Sequence, residues 1–202
     1  MKYVRIEYAG YAFAPDKEIN GLTFGGVGNG TAIDYIQVSF ANDDSYEWFG
    51  GTVNCKHLVA FSGLDDEFDT DYGFSGSVQY IVGLRDPNIA DVSKSNGFES
   101  DNDATGSTNT PTTNPKFANA SLFGPKANAA KANRTFATTA ELNVNNPFLL
   151  TAPNFLPKTG SPLLTGAVTV PTGLEAANYI GAFGTTDWTS GWANWTPQTI
   201  VY

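Results

Sequence analysis

The sequence predicts an all-β fold, a single parallel β-helix with rungs of about 22 residues. Three observations carry this. The composition disfavours helix, strand-like segments recur at a fixed interval, and a second, acidic-aromatic motif recurs in step with them. The chain has 202 residues, enough to bury one substantial core. It is 41% hydrophobic and only 15% charged. Gly, Asn, Thr and Ser are abundant, while Lys, Arg, Leu and Glu are scarce, which suits strands joined by many turns.

The strand-like copies are YVRIEYAG from Tyr3, YIQVSFAN from Tyr35, HLVAFSGL from His57 and QYIVGLRD from Gln79. The first step is 32 residues and the next two are 22, the difference being a loop insertion around YAFAPDKEIN. Alternation gives each copy an inward face. Val4, Ile36, Leu58 and Tyr80 form one expected column, and Ile6, Val38, Ala60 and Val82 the next. Tyr8, Phe40, Ser62 and Leu84 form a third. One rung cannot bury its apolar face alone, but stacked rungs share a core. A leucine-rich repeat has a similar period, but no L-x-x-L-x-L pattern is present.

The second motif is DDSYEWFGG from Asp43 and DDEFDTDYG from Asp65, 22 residues on. A third copy, NGFESDND, aligns at Phe98 and Glu99. Tyr46, Phe68 and Phe98 are therefore expected to stack, with Glu47, Asp69 and Glu99 as an acidic column beside them. Gly25-Gly26 and Gly50-Gly51 read as matching turns.

One domain is expected over 1–202, with regular rungs over 1–103. A low-complexity excursion rich in Thr, Asn, Pro and Ala follows over 104–135, with a single helical turn at TTAELN from Thr138. Closing rungs are expected over 136–184. A Trp-rich C-terminal cap over 185–202 would cover the last rung.

The net charge of −9 disfavours a phosphate backbone as partner and allows cations. No run of 18 apolar residues marks a membrane span. Met1 stands directly before KYVRIEY, so a start with its export signal and upstream rungs removed is expected. Cys55 is the sole cysteine and is read as a small packing residue. His57 is the sole histidine, and no G-x-S-x-G elbow accompanies it to support a triad.

The string KYVRIEYAG, GLTFGGVG, IDYIQVSFANDDSYEWFGGTVN, KHLVAFSGLDDEFDTDYGFSG and LRDPNIAD…SNGFESDND resembles secreted right-handed parallel β-helix proteins of Bacteroidetes-type bacteria. These are pectate-lyase-like solenoids, commonly cell-surface proteins or lipoproteins without an assigned activity. SPLLTGA followed by YIGAFG is similar to their closing rung. The resemblance implies an extracellular or outer-surface location. The fold alone fixes no activity.

Three chemistries are open at the residues. Hard cations take six to eight oxygens, and Asp69, Asp71, Glu99, Asp101 and Asp103 are candidate ligands for Ca²⁺. The alternative is that these acids are solvated or bond to turn amides. No organic cofactor is expected. A polysaccharide lyase or glycoside hydrolase would draw on Asp65, Asp66, Asp69 and Arg85, because adjacent rungs about 4.8 Å apart bring carboxylates together. Arg85 could instead be an ion-pair partner of Asp86 or Asp66. Trp48, Tyr72, Trp188 and Trp192 are candidate sugar platforms, against a core role for Trp48 and a cap role for the others.

No complete catalytic set is present, so the first reading is a secreted or surface-exposed, non-catalytic module that binds glycan or a surface protein, with Ca²⁺ ordering its acidic turns. An enzyme and a self-associating structural protein, pairing end to end through an exposed first rung, are the alternatives.

Overall fold

The computed structural model describes residues 1–14, 18–92, 95–124 and 139–200. Parts of the insertion around YAFAPDKEIN and of the excursion predicted over 104–135, residues 93–94, the start of the predicted closing segment and the last two residues lie outside these ranges. The chain forms β1 (Lys2–Glu7), β2 (Leu22–Gly25), β3 (Ala32–Ser39), β4 (Tyr46–Phe49), β5 (Asn54–Phe61), β6 (Phe68–Asp71), β7 (Ser77–Leu84), β8 (Glu99–Ser100) and β9 (Lys116–Phe123). A short helix α1 (Thr139–Leu142) and the strands β10 (Val144–Asn146) and β11 (Asn154–Pro157) follow.

The odd-numbered strands from β1 to β9 stack as a five-stranded parallel sheet A, in the order β1-β3-β5-β7-β9. The even-numbered strands from β2 to β8 stack as a four-stranded parallel sheet B, in the order β2-β4-β6-β8. The strands thus alternate between the two sheets from β1 to β9, which makes the fold an all-β parallel β-helix.

The repeat register holds from β3 to β5, where Ile36 pairs with Leu58 and Val38 with Ala60. It shifts at the next rung. Leu58 pairs with Ile81 rather than Tyr80, and Ala60 with Gly83 rather than Val82. The step there is 23 residues, because the turn between β6 and β7 (72–76) holds one residue more than the turn between β4 and β5 (50–53). A one-residue slip moves every side chain to the other face.

Tyr80 accordingly joins a different column, with Tyr3, Tyr35, His57 and Asn119. All five are left-handed, with φ between 51° and 56°. Tyr8, Phe40 and Ser62, expected to point inward, form a second left-handed column (φ 51–58°). Non-glycine residues avoid this region, at a cost of roughly 1–2 kcal/mol each. Here the kink interrupts the alternation, so that Ile33 and Ile36, three residues apart, both enter the core. Ring stacking along the column offsets part of the strain: Tyr3 on Tyr35 at 4.7 Å, Tyr35 on His57 at 4.3 Å, His57 on Tyr80 at 5.1 Å.

Two apolar layers result. Inside the coil, Ile33, Ile36, Val38, Cys55, Leu58, Val78 and Ile81 of sheet A meet Phe24, Tyr46, Trp48 and Phe68 of sheet B and Phe74 beyond it. The Cys55 thiol is pushed up to about 12 by burial, as befits a packing residue. Outside sheet A, Val59, Phe61, Val82, Leu84 and Phe123 meet Phe155, Ala182 and Phe183, with Trp188, Trp192 and Trp195 against them.

The C-terminal half departs from the expected closing rungs. Lys116–Phe123, inside the predicted excursion, is the fifth strand of sheet A. Beyond α1, which matches the expected helical turn, β10 and β11 pair antiparallel and add no parallel rung. The tail then crosses the outer face of sheet A rather than covering the end of the last rung. Ala182 N–H donates to Ser121 Oγ at 2.9 Å on β9, and Glu175 is held by Gln79 on β7. Trp192 meets Tyr35 edge-on at 5.7 Å, and Asn194 is held by Gln37 on β3. The tryptophans lie where they are because the later copies present Val59, Phe61, Val82 and Leu84 outward, and this apolar strip must be covered.

Candidate functional site

Sheet B carries the acidic motif. Glu47 pairs in register with Asp69, and Asp69 with Glu99, as the repeat predicted. On the neighbouring positions Tyr46 stacks on Phe68 at 5.4 Å, and Phe68 meets Phe98 at 5.7 Å. Tyr46 is fully buried and its hydroxyl lies 2.8 Å from the carbonyls of both Ile36 and Val59, tying sheet B to sheet A. Repetition thus explains the aromatic half of the motif as packing. At its end, Gly26 and Gly50 turn the chain with φ of 61° and 69°.

The acidic half is crowded. Carboxylate oxygens of Asp44, Glu47 and Asp69 lie within 4.8 Å of one another, as do those of Asp43, Asp44 and Asp65. Burial is the main cause that raises the proton affinities of Asp43, Asp44, Glu47 and Asp69, with neighbouring carboxylates adding to it. Asp44 is pushed up to about 9 and Glu47 to about 8. Asp66 rises to about 7, from burial and then its contact with Glu99. Asp43 and Asp69 rise to about 6. Partners are few. Asp44 Oδ1 accepts from Asp66 N–H at 3.0 Å, Asn20 Nδ2 donates to Glu47 Oε2, and Asp66 accepts from the Asn96 backbone N–H. Such a cluster can hold shared protons at neutral pH, or exchange them for a hard cation.

The predicted cation ligands fall into three places. Asp69 and Glu99 stand on the ladder. Asp71, at the far end of β6, interacts with Asp101, and burial followed by that contact raises its proton affinity. Asp103 acts on Asp71 through its charge but is bound within its own turn. It accepts from Thr105 N–H and Oγ1 (3.0 and 2.6 Å) and from the Ser107 hydroxyl and N–H, and these bonds hold it below the usual carboxylate range. It organises its own turn. The cluster on the ladder joins Asp69 to Asp44 and Glu47, whose signal was present in the paired DDSYE and DDEFD copies.

Among the candidate catalytic residues, Asp69 is on the ladder, Asp66 precedes β6 and contacts Glu99, and Asp65 belongs to the neighbouring cluster. Arg85 is not available to them. Its Nη1 donates to Glu67 Oε1 at 2.6 Å and to the Asp65 carbonyl at 2.7 Å, and its side chain is 12% exposed. The partner is Glu67, not Asp86 or Asp66. Glu67 is completely buried; burial raises it and Arg85 lowers it, leaving it at about 7.

Of the sugar platforms, Trp48 is removed. It is fully buried between Phe24 at 5.2 Å and Phe74 at 5.6 Å, so no ligand reaches its face. Tyr72 is 57% exposed beside Phe49. Trp188 stacks on Phe183 at 5.1 Å and donates to the Ala182 carbonyl, and Trp192 donates to the Trp188 carbonyl. Both are part of the tail's packing, and Trp188 also lines a cleft formed with His57.

Residues 1–153 match the family model described as a pectate-lyase-like beta helix domain. The chain belongs to that family. No curated protein and no solved structure matches it. Among the described residues no helix is long and apolar enough to cross a membrane.

Proposed function

We propose that this chain is a non-catalytic β-solenoid of the cell surface or extracellular space that binds glycan, with a divalent cation such as Ca²⁺ held on the acidic ladder. The observation that carries this is the division of charge around sheet B. Three carboxylates converge within 4.8 Å, while the nearby cation Arg85 is committed to Glu67. Convergent oxygens suit a hard cation, whereas a lyase needs a free base beside its metal. Membership of a pectate-lyase-like family supports glycan as the ligand class.

The test has two arms. A rise in melting temperature with Ca²⁺, lost in Asp44→Asn/Glu47→Gln, supports the cation; no response to Ca²⁺ or chelator removes it. Release of unsaturated products or reducing ends from acidic or neutral glycans, abolished by Asp66→Ala in a folded protein, would overturn the non-catalytic reading.

A hydrolase remains the second reading for one reason. Glu47 at about 8 beside Asp69 at about 6 is the split of proton affinities that an acid and a nucleophile require. It predicts reducing-end release lost in Glu47→Gln as well as in Asp69→Asn.

A further inference from the structure

A cleft of about 490 Å³ lies on the outer face of sheet A, beneath the returning tail. We propose that this cleft is the seat of the glycan and takes a neutral sugar; the inference rests on the glycan-binding reading above and gives it a location away from the acidic ladder. The volume falls within the range of roughly 300–1,000 Å³ typical of small-ligand sites.

Its floor is the stacked column Tyr35, His57 and Tyr80, whose rings cover one another's faces and turn their edges to the cleft. Its walls include Glu175, Tyr179 and Trp188, the last meeting His57 edge-on at 5.2 Å. Sugar rings present apolar C–H groups and a fringe of hydroxyls. A site for them combines aromatic surface with neutral and acidic hydrogen-bonding groups, and this lining supplies both. His57 Nδ1 is fixed by Asp34 Oδ1 at 2.7 Å. That bond fixes the orientation of the ring. The Tyr80 hydroxyl is bonded to Glu175, which leaves the Tyr179 phenol as a donor on the cleft wall.

Charge selects against an acidic sugar. Among the described residues no Lys or Arg lines the cleft. Lys56, beside it, is ion-paired with Glu175. A uronate carboxylate would therefore have to compete with Glu175 for Lys56, whereas hydroxyls would meet acceptors and donors.

The rim is also pre-formed. The buried amide of Gln79 clamps residue 175 from both sides: Glu175 N–H donates to Gln79 Oε1 at 2.9 Å, and Gln79 Nε2 donates to the Glu175 carbonyl at 2.7 Å. On the other side Asn119 Nδ2 donates to the Gly181 carbonyl at 3.1 Å, and Trp188 Nε1 to the Ala182 carbonyl at 2.9 Å. A wall fixed in this way loses little entropy on binding.

The experiment is calorimetric titration of the full chain with cellotetraose, mannotetraose, xylotetraose and, as the acidic control, tetragalacturonate. The wild type is expected to bind at least one neutral tetrasaccharide and to bind tetragalacturonate more weakly. Tyr179→Phe and Glu175→Gln should each weaken the neutral ligand about tenfold, roughly the loss of one hydrogen bond. Thr186→Trp, an exposed position on the cleft wall, should fill the space and abolish binding without touching the core. If the wild type binds and all three cleft variants bind equally well, the location is overturned while the glycan-binding reading stands. Preference for tetragalacturonate overturns the neutral-sugar assignment. If the wild type binds none of the four, both fall.

Discussion

Gln37 and Gln79 are fully buried amides that use both ends on the tail. Gln37 accepts from Asn194 N–H at 2.7 Å and donates to its carbonyl at 2.6 Å, repeating what Gln79 does at Glu175. In sequence both sit at outward positions of strands and read as solvated polar residues. Only the returning tail makes them interior. Replacing either by Ala strands two backbone groups, so Gln79→Ala should cost about 2 kcal/mol in urea unfolding. A change below about 0.5 kcal/mol would show that water substitutes for the amide. Arg85 is a similar case, since its nearest sequence neighbour of opposite charge is Asp86 and its partner is Glu67. Arg85→Ala leaves a buried carboxylate uncompensated and should cost about 3–5 kcal/mol. The double variant Glu67→Gln/Arg85→Met should recover much of that loss. A double variant as unstable as the single one would assign Arg85's role to its other bonds.

At the scale of elements, the acidic ladder of sheet B sets a pH dependence. Asp44 and Glu47 have folded values of about 9 and about 8, against ordinary values of 3.8 and 4.5. Between those limits the folded chain holds protons that the unfolded chain has lost, so stability falls as pH rises. The contribution is complete below about pH 4 and gone above about pH 9. The melting temperature should therefore decline across that window, by about 2–4 °C for each kcal/mol lost. Asp44→Asn/Glu47→Gln should flatten the decline, and Ca²⁺ should oppose it most at the alkaline end if the ladder holds the ion. An unchanged slope in the double variant would place the titration elsewhere.

The ladder's register was readable because sheet B keeps a 22-residue step from β4 to β6. The step from β5 to β7 was not, because one extra turn residue shifts the pairing and alternation cannot detect it. Lys116–Phe123 was missed for a related reason. Its inward positions include Ala120, a small residue that gives little apolar contrast, although Phe117 joins the same core.

At the scale of the molecule, the tail ties the coil together lengthwise. It touches β9 at Ser121, β7 at Gln79, β5 through Trp188 on His57, β3 at Gln37 and β1 through Trp192 on Tyr3 (6.3 Å). A solenoid without such a strap couples only neighbouring rungs. Removing residues 185–202 would uncover much of the outer apolar strip, where each large side chain is worth about 1.5–3 kcal/mol. The truncated chain should lose several kcal/mol and lose the single cooperative transition, seen as a broadened or split calorimetric melt. A melt that stays sharp and shifts by less than a few degrees would mean that the rungs couple well enough without the strap.

By itself the sequence determined the coil, the rung length, the aromatic stack of Tyr46, Phe68 and Phe98, and the acidic column beside it. Each follows from local periodicity, which a chain displays residue by residue. The tertiary structure decided the role of individual side chains. Trp48 became core, Arg85 a brace for Glu67, Asp103 a turn anchor, and the terminal tryptophans a cover for sheet A that shapes a cleft over His57. Those outcomes depend on which distant segment lands on an outward face, and contacts of that range leave no period in the chain.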